Sequence, residues 1–241
     1  MTGRLYGIGL GPGDPELLTL KAARLLGAVK HVAYFAKAGR RGHARTIVDG
    51  LISAEAHEWP LLYPVTTEVH FESDDYIGQL SGFYEQSSAT LADIMARGED
   101  VALICEGDPL FYGSFMHLYE RLRGRFAVTI VPGITGMSGC WTAAGAPITW
   151  GDDVLSVMPG TLSAAALKAR LAVCDAAVIM KLGKNFAKVR AAIAEAGHLE
   201  RAIYVERGAM KDEKIMPLAE KSDEIAPYFS IILIPGNGRR P

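Results

Sequence analysis

Cysteine is scarce. The chain has three, Cys105, Cys140 and Cys174, odd in number and far apart in sequence. Their apolar surroundings exclude a disulfide framework and suit buried free thiols in a reducing compartment. No apolar run reaches the roughly 20 residues needed to span a bilayer. The opening Met1-Thr2-Gly3-Arg4 leads straight into a strand-like segment without a signal-peptide pattern. A cytoplasmic protein with no membrane partner is expected. Excess positive charge is also missing: a net charge of −2 provides no global field for nucleic acid. The histidines His31, His43, His57, His70, His117 and His198 are scattered without ligand spacing, so no metal centre is expected. No G-x-S-x-G elbow, sequence repeat or low-complexity segment occurs. With 49% hydrophobic and 22% charged residues, the composition suits a packed globule and excludes disorder.

What is present is alternation. Short apolar, β-branched runs predict strands over 5–10, 31–36, 101–105, 126–131, 154–157, 177–182, 202–205 and 229–234. Helical faces lie between them. Leu18, Ala22, Leu25 and Val29 form one; Leu91, Ile94 and Met95, stopped by Gly98, form another. Phe186, Val189 and Ile193 form a third, with Asn185 as the N-cap candidate and Gly197 as the stop. The class is α/β with mainly parallel sheets. So many strands suit two α/β domains better than one, and "VPGITG" (131–136) reads as the hinge. The expected division is 1–131 and 132–241. Glycine follows the end of strand after strand, at Gly11, Gly107, Gly133, Gly183 and Gly208. Ligands of open α/β sheets bind at those ends, where a missing side chain lets backbone approach closely. The pattern predicts a large ligand in a cleft between the two domains.

The first such turn, "YGIGLGPGDPELLTL" (6–20), resembles a phosphate loop only superficially. G-x-G-x-x-G fails in both registers, ending on Pro12 or Asp14, and no G-x-x-x-x-G-K-[ST] occurs. A phosphate cradle needs backbone N–H donors; Pro12 and Pro15 remove two, and Asp14 places a negative charge where the anion should sit. The acidic residue expected after the second strand of a dinucleotide fold is absent, because that strand runs into Lys37. Asp14 suits an N-cap, Pro15 the first helical position and Glu16 the helix dipole. A loop presenting carbonyls and one carboxylate suits a neutral or cationic ligand.

"GIGLGPGDPELLT" resembles the opening signature of the tetrapyrrole methylases. The similarity continues in family order through "EGDPLFYGSF" (106–115), "VPGITG" (131–136), "MKLGKNF" (180–186), "YVERGAM" (204–210) and "FSIILIPG" (229–236). Glu106 before Gly-Asp-Pro, together with "MKLGKNF", "YVERGAM" and "LLYPVT" (61–66), resembles the branch acting on precorrin-2 at carbon 20. Val65 stands where that branch suggests Met, and Gly113-Ser114 where it suggests Ser-Thr.

The resemblance implies a homodimeric S-adenosylmethionine-dependent methyltransferase of cobalamin biosynthesis. Its donor would meet Pro12, Gly107, Asp108, Phe111, Thr135, Gly136, Leu182, Glu206 and Arg207. Asp108, followed by Pro109, also suits an N-cap, Phe111 suits the core, and Thr135 could close its own turn. Methyl transfer from a sulfonium to a nucleophilic carbon calls for near-attack geometry and exclusion of water, and no catalytic residue is singled out. The acceptor carries many carboxylates. "KAGRRGHAR" (37–45) offers Lys37, Arg40, Arg41 and Arg45 at a strand end, and arginine suits carboxylate recognition. Asp14 and Lys184 complete the expected acceptor set, with Lys181 and Arg207 as further candidates. Alternatives are another corrin position, uroporphyrinogen, an RNA or diphthamide substrate on the same fold, a nicotinamide oxidoreductase, and a non-catalytic tetrapyrrole carrier. The failed fingerprint disfavours the oxidoreductase, the charge disfavours RNA, and the donor motifs oppose a carrier.

Overall fold

The structure is a computed structural model that describes residues 1–64 and 74–238. Val65, Thr66 and His70 lie outside the described residues. Two compact units divide the chain, Met1–Thr135 and Gly136–Pro241, the division falling at the end of the "VPGITG" segment.

The first unit is built on a five-stranded sheet of β1 (Arg4–Gly9), β2 (His31–Lys37), β3 (His57–Tyr63), β4 (Val101–Cys105) and β5 (Ala127–Val131), in the order β3-β2-β4-β1-β5. Every pairing is parallel. Helices α1 (Leu20–Leu26), α2 (His43–Ile47), α3 (Asp74–Ala96) and α4 (Phe115–Leu122) make the crossovers. Side chains alternate between the faces with period two. Val32, Tyr34 and Ala36 pack with α1 and α2, while Ala33 packs with α3 and α4. The strip Ala22, Leu25 and Val29, the strip Leu91, Ile94 and Met95, and the partly buried Leu18 all join these cores.

Two sequence expectations shift here. Asp14 accepts a hydrogen bond from the Glu16 amide at 2.9 Å, but caps only the 3₁₀ turn Pro15–Leu17. The helix begins later, with Thr19 accepting from the Ala22 amide at 3.1 Å. Strand β3 has no counterpart in the hydropathy pattern, because Pro60 breaks the run and lacks a ladder donor. It fits because β3 is an edge strand.

The second unit opens with α5 (Gly136–Ala143). Its sheet contains β6 (Leu155–Pro159), β7 (Ala176–Met180), β8 (Ile203–Glu206), β9 (Lys214–Pro217) and β10 (Ser230–Ile234), in the order β6-β7-β10-β8-β9. The class is α/β as expected, but only β6 and β7 pair in parallel. β10 runs antiparallel to both β7 and β8, and β9 antiparallel to β8. Helices α6 (Ala164–Leu171) and α7 (Phe186–Glu195) link β6, β7 and β8 as crossovers, so those three strands run in one direction. No crossover helix follows β8, and the chain can return only antiparallel. β10 fills the gap between β7 and β8. β9 is a four-residue edge strand beyond the reach of periodicity. Asn185 does precede α7, but its side chain accepts from Lys188 Nζ at 3.1 Å rather than capping the helix.

In the first sheet the chain leaves β1 toward α1 on one face and β4 toward α4 on the other. β1 and β4 are neighbours, so the connections diverge between them, at the topological switch point where open sheets place ligands. Backbone closes that point directly. Gly107 N–H donates to the Gly11 carbonyl at 2.8 Å, and Gly11 N–H to the Gly107 carbonyl at 3.3 Å. A methyl group on Gly9 would stand 2.5 Å from the Gly133 nitrogen and 2.6 Å from the Gly107 oxygen. One on Gly133 would collide with that same oxygen. The glycines therefore let three loops touch backbone to backbone. Gly9→Ala and Gly133→Ala should each destabilise by about 2–3 kcal/mol in urea denaturation. Gly82→Ala, in α3 with open space around the new methyl, should be neutral or stabilise by up to about 1 kcal/mol.

Candidate active site

Asp108 staples the loops after β4 and β5. One carboxylate oxygen accepts from the Leu110 amide at 2.9 Å, the other from the Gly133 amide at 3.1 Å. Asp108 was expected to cap a helix opening at Pro109; it closes only a turn, because the helix begins at Phe115, and its second bond crosses to another loop. Gly107 has φ +63°, so glycine is needed there for backbone conformation as well as for the close approach to Gly11. Pro12 is buried beside this junction, and Phe111 is half-buried with its ring edge-on to Tyr112 at 4.8 Å. Thr135 and Gly136 are half-buried; a methyl on Gly136 would meet open space, unlike one on Gly9 or Gly133. Glu106 accepts from the Ala44 amide at 2.9 Å and so caps α2 in place of the side chain Gly42 lacks.

In the second unit, β6, β7 and β8 end on one edge. Leu182 is fully buried in the core under α6 and α7. A ligand could reach only its backbone, because the apolar side chain gains more from that core than from an exposed edge. Glu206 is buried at the end of β8 and accepts from the Tyr204 hydroxyl at 2.7 Å. Burial, followed by this carboxylate partner, raises the Tyr204 phenol far above its ordinary value. Arg207 Nη1 and Lys214 Nζ each stand 4.0 Å from Glu206 Oε2. With Asp223, Glu224, Ile225 and Pro227 they line an open recess of about 650 Å³. Lys184 is exposed in the 3₁₀ turn after β7.

Backbone strain marks the same strand ends. Among the described residues, the non-glycine residues with positive φ are Tyr112 (54°), Lys181 (57°), Arg207 (50°) and Ala209 (62°). All follow β4, β7 or β8. Each costs about 1–2 kcal/mol, and such residues gather where ligands are held. Nothing in hydropathy or spacing could have disclosed them. Among the described residues no three of His, Cys, Asp and Glu gather as a metal set, and no helix is long and apolar enough to cross a membrane.

The basic segment is less available than its sequence suggests. Arg45, expected to face the acceptor, is 8% exposed and turned inward. Its Nε and Nη2 both donate to Glu58 at 2.7 Å, with Asp49 3.5 Å from Nη1. Glu58 also accepts from the Tyr34 hydroxyl at 3.0 Å. A buried guanidinium needs such a partner, and this one occupies its fork. Arg41 spreads its fork over Asp49 at 3.0 and 2.9 Å, an exposed and therefore weak pairing. Lys37 and Arg40 are exposed.

The Arg45 hydrogen bond, helped by Tyr34, holds the Glu58 carboxyl below its usual range against the opposing effect of burial. A depressed folded value contributes stability above the unfolded value of 4.5, and that contribution is lost as pH falls through the folded value. Arg45→Ala should cost about 2 kcal/mol near neutral pH, reduced from a fully buried pair because Glu58 is partly exposed. The gap between mutant and native urea midpoints should narrow as pH drops below about 4.5.

The family Tetrapyrrole (Corrin/Porphyrin) Methylases matches residues 4–222. A precorrin-2 C(20)-methyltransferase of Sinorhizobium sp is 55% identical over 239 residues, 99% of this chain and 98% of that protein. The cobalt-precorrin-2 C(20)-methyltransferase of Salmonella typhimurium is 30% identical over 242 residues, 97% of each. The solved uroporphyrin-III C-methyltransferase of Thermus thermophilus, complexed with S-adenosyl homocysteine, superposes with a TM-score of 0.66 at 23% identity, covering 96% of this chain and 97% of that one. Matched across nearly its full length, this chain belongs to the tetrapyrrole (corrin/porphyrin) methylase family.

Proposed function

We propose that the protein transfers a methyl group from S-adenosylmethionine to carbon 20 of precorrin-2 or its cobalt chelate, in cobalamin biosynthesis. The observation that carries this reading is the end-to-end match, at 55% identity, to a precorrin-2 C(20)-methyltransferase. The strand-end chemistry supports it. The donor is a sulfonium with a zwitterionic methionine tail, and the loops offer backbone and carboxylates where a phosphate ligand would need N–H donors. Donor-facing residues of the first unit are Pro12, Gly107, Asp108, Phe111 and Thr135. Those of the second are Gly136, the Leu182 backbone, Glu206 and Arg207.

The donor supplies an electrophilic methyl; the protein's contribution is placement. Asp108 keeps the loops after β4 and β5 at fixed spacing, and the junction of Gly9, Gly11, Gly107 and Gly133 resists the small displacements that near-attack geometry cannot tolerate. Acceptor carboxylates meet Lys37, Arg40 and Lys184. Arg41 joins them by exchanging Asp49 for a substrate carboxylate, and Asp14 faces the acceptor with the oxygen that does not cap its turn. Arg45 is no longer part of this set. The protein works in the cytoplasm as a homodimer, without resident metal, nucleic acid or membrane partner.

Incubation with labelled S-adenosylmethionine and precorrin-2, with and without cobalt, followed by mass analysis and carbon NMR, should place one new methyl at carbon 20. A methyl elsewhere on the macrocycle would keep the family and change the branch. Adenosylhomocysteine should bind in calorimetry without added metal, and NAD should bind weakly or not at all. Tight NAD binding with no adenosylhomocysteine binding would overturn the reading. Arg40→Gln with Lys184→Gln should raise the acceptor KM by about tenfold and flatten its salt dependence, while donor affinity stays level.

A further inference from the structure

Three elements of the first unit converge on one hydroxyl. Ser114 directly precedes α4, where a serine ordinarily turns its side chain back to cap the first amides. Its side chain makes no cap bond. Instead Oγ accepts from the Tyr63 hydroxyl, at the end of β3, at 2.5 Å, and from the Tyr84 hydroxyl, on α3, at 3.2 Å. A hydroxyl oxygen has two acceptor positions and one proton to donate. The two phenols take two of its three hydrogen-bonding directions and leave the third for a further partner, which the serine proton serves when both phenols donate.

The phenols cannot easily turn away. The Tyr63 ring packs between Phe35 at 5.5 Å and Phe83 at 4.9 Å. The Tyr84 ring stacks on His117 at 4.2 Å, with Arg121 5.9 Å from its centre. Arg121 is itself held by Glu85 at 2.7 Å. Ser114 is half-buried at the carboxyl edge of the sheet, and the loop leading to it exposes the large apolar side chains Leu110 and Tyr112. A hydroxyl held in place beside an apolar, strained loop suits a flat macrocycle with acidic side chains.

We propose that Ser114 donates a hydrogen bond to a carboxylate of the tetrapyrrole acceptor, oriented for this by Tyr63 and Tyr84. The proposal rests on the methyltransferase reading above. It adds a specificity residue whose partners were not visible as a group in the sequence. Tyr63 and Tyr84 act through Ser114 and are positioning residues.

The test uses the full chain, S-adenosylmethionine and anaerobically prepared precorrin-2. Ser114→Ala should raise the acceptor KM by about tenfold or more, the value of a charge-assisted hydrogen bond, while the calorimetric Kd for adenosylhomocysteine changes less than twofold. Ser114→Thr should restore most of the loss. Tyr63→Phe with Tyr84→Phe leaves the hydroxyl in place but unoriented, and should raise the acceptor KM at least threefold. Thermal melts of the variants establish that each is folded. If the native protein methylates precorrin-2 and folded Ser114→Ala keeps its acceptor KM, this inference fails and the methyltransferase reading stands. Equal weakening of donor and acceptor also overturns it. A native protein that transfers no methyl to precorrin-2 overturns both.

Discussion

The first unit depends on backbone meeting backbone at the ends of β1, β4 and β5. Gly9, Gly11, Gly107 and Gly133 bring three loops into contact without intervening side chains, and Asp108 ties two of them with charge-assisted bonds to amides. Side-chain packing would tolerate volume-conserving exchange; a backbone contact has nothing to exchange. Loops that would otherwise be the least constrained part of an open sheet become extensions of it. A site built on them inherits the rigidity of the strands at the topological switch point of the sheet.

A second constraint spreads from Glu106 and Arg45. Glu106 leaves the end of β4 to cap α2, and Arg45, on α2, reaches Glu58 on β3. The segment 37–45 is thereby fastened at its helical end to two strands. Its residues divide by energetics rather than by charge. Buried Arg45 would leave an uncompensated ion if its partner went, whereas the exposed Arg41–Asp49 pair can exchange partners at little cost. A sequence pattern counts these arginines as equals; burial separates a structural one from one whose exposed pairing exchanges at little cost.

That separation shows what could and could not be read from the residues alone. Central strands and the major helix faces were legible, because alternation and 3.6-residue spacing survive wherever an element is buried on a defined face. The two missed strands, β3 and β9, lie at sheet edges, where one side needs no pairing and composition relaxes; Pro60 is permitted there for that reason. The antiparallel insertion of β10 was hidden because strand pattern carries no direction. The glycine-rich ends were legible as a place, but not for their full reason, since much of their work is contact between loops. Leu182 was expected beside the donor from its motif, and the structure places its side chain in the core, which leaves only its backbone for that role. The strained Tyr112, Lys181, Arg207 and Ala209 left no trace, because positive φ at a non-glycine residue is imposed by its surroundings rather than by its own preference.

On the proposed reading, the chemistry also limits what must not stand near the donor. A methyl sulfonium is an electrophile, and a thiolate is the side chain most able to intercept it. Cys105 is the last residue of β4, directly before Glu106, Gly107 and Asp108. Burial raises its thiol well above the ordinary value, and the nearby Glu106 and Asp108 carboxylates push the same way. Cys140, in the second unit, is pushed up to about 12, chiefly by burial. Both sulfurs therefore remain protonated and enclosed at physiological pH. The acidic residues of the loop after β4 thus also oppose ionisation of its nearest thiol and keep that sulfur a poor nucleophile toward a methyl donor.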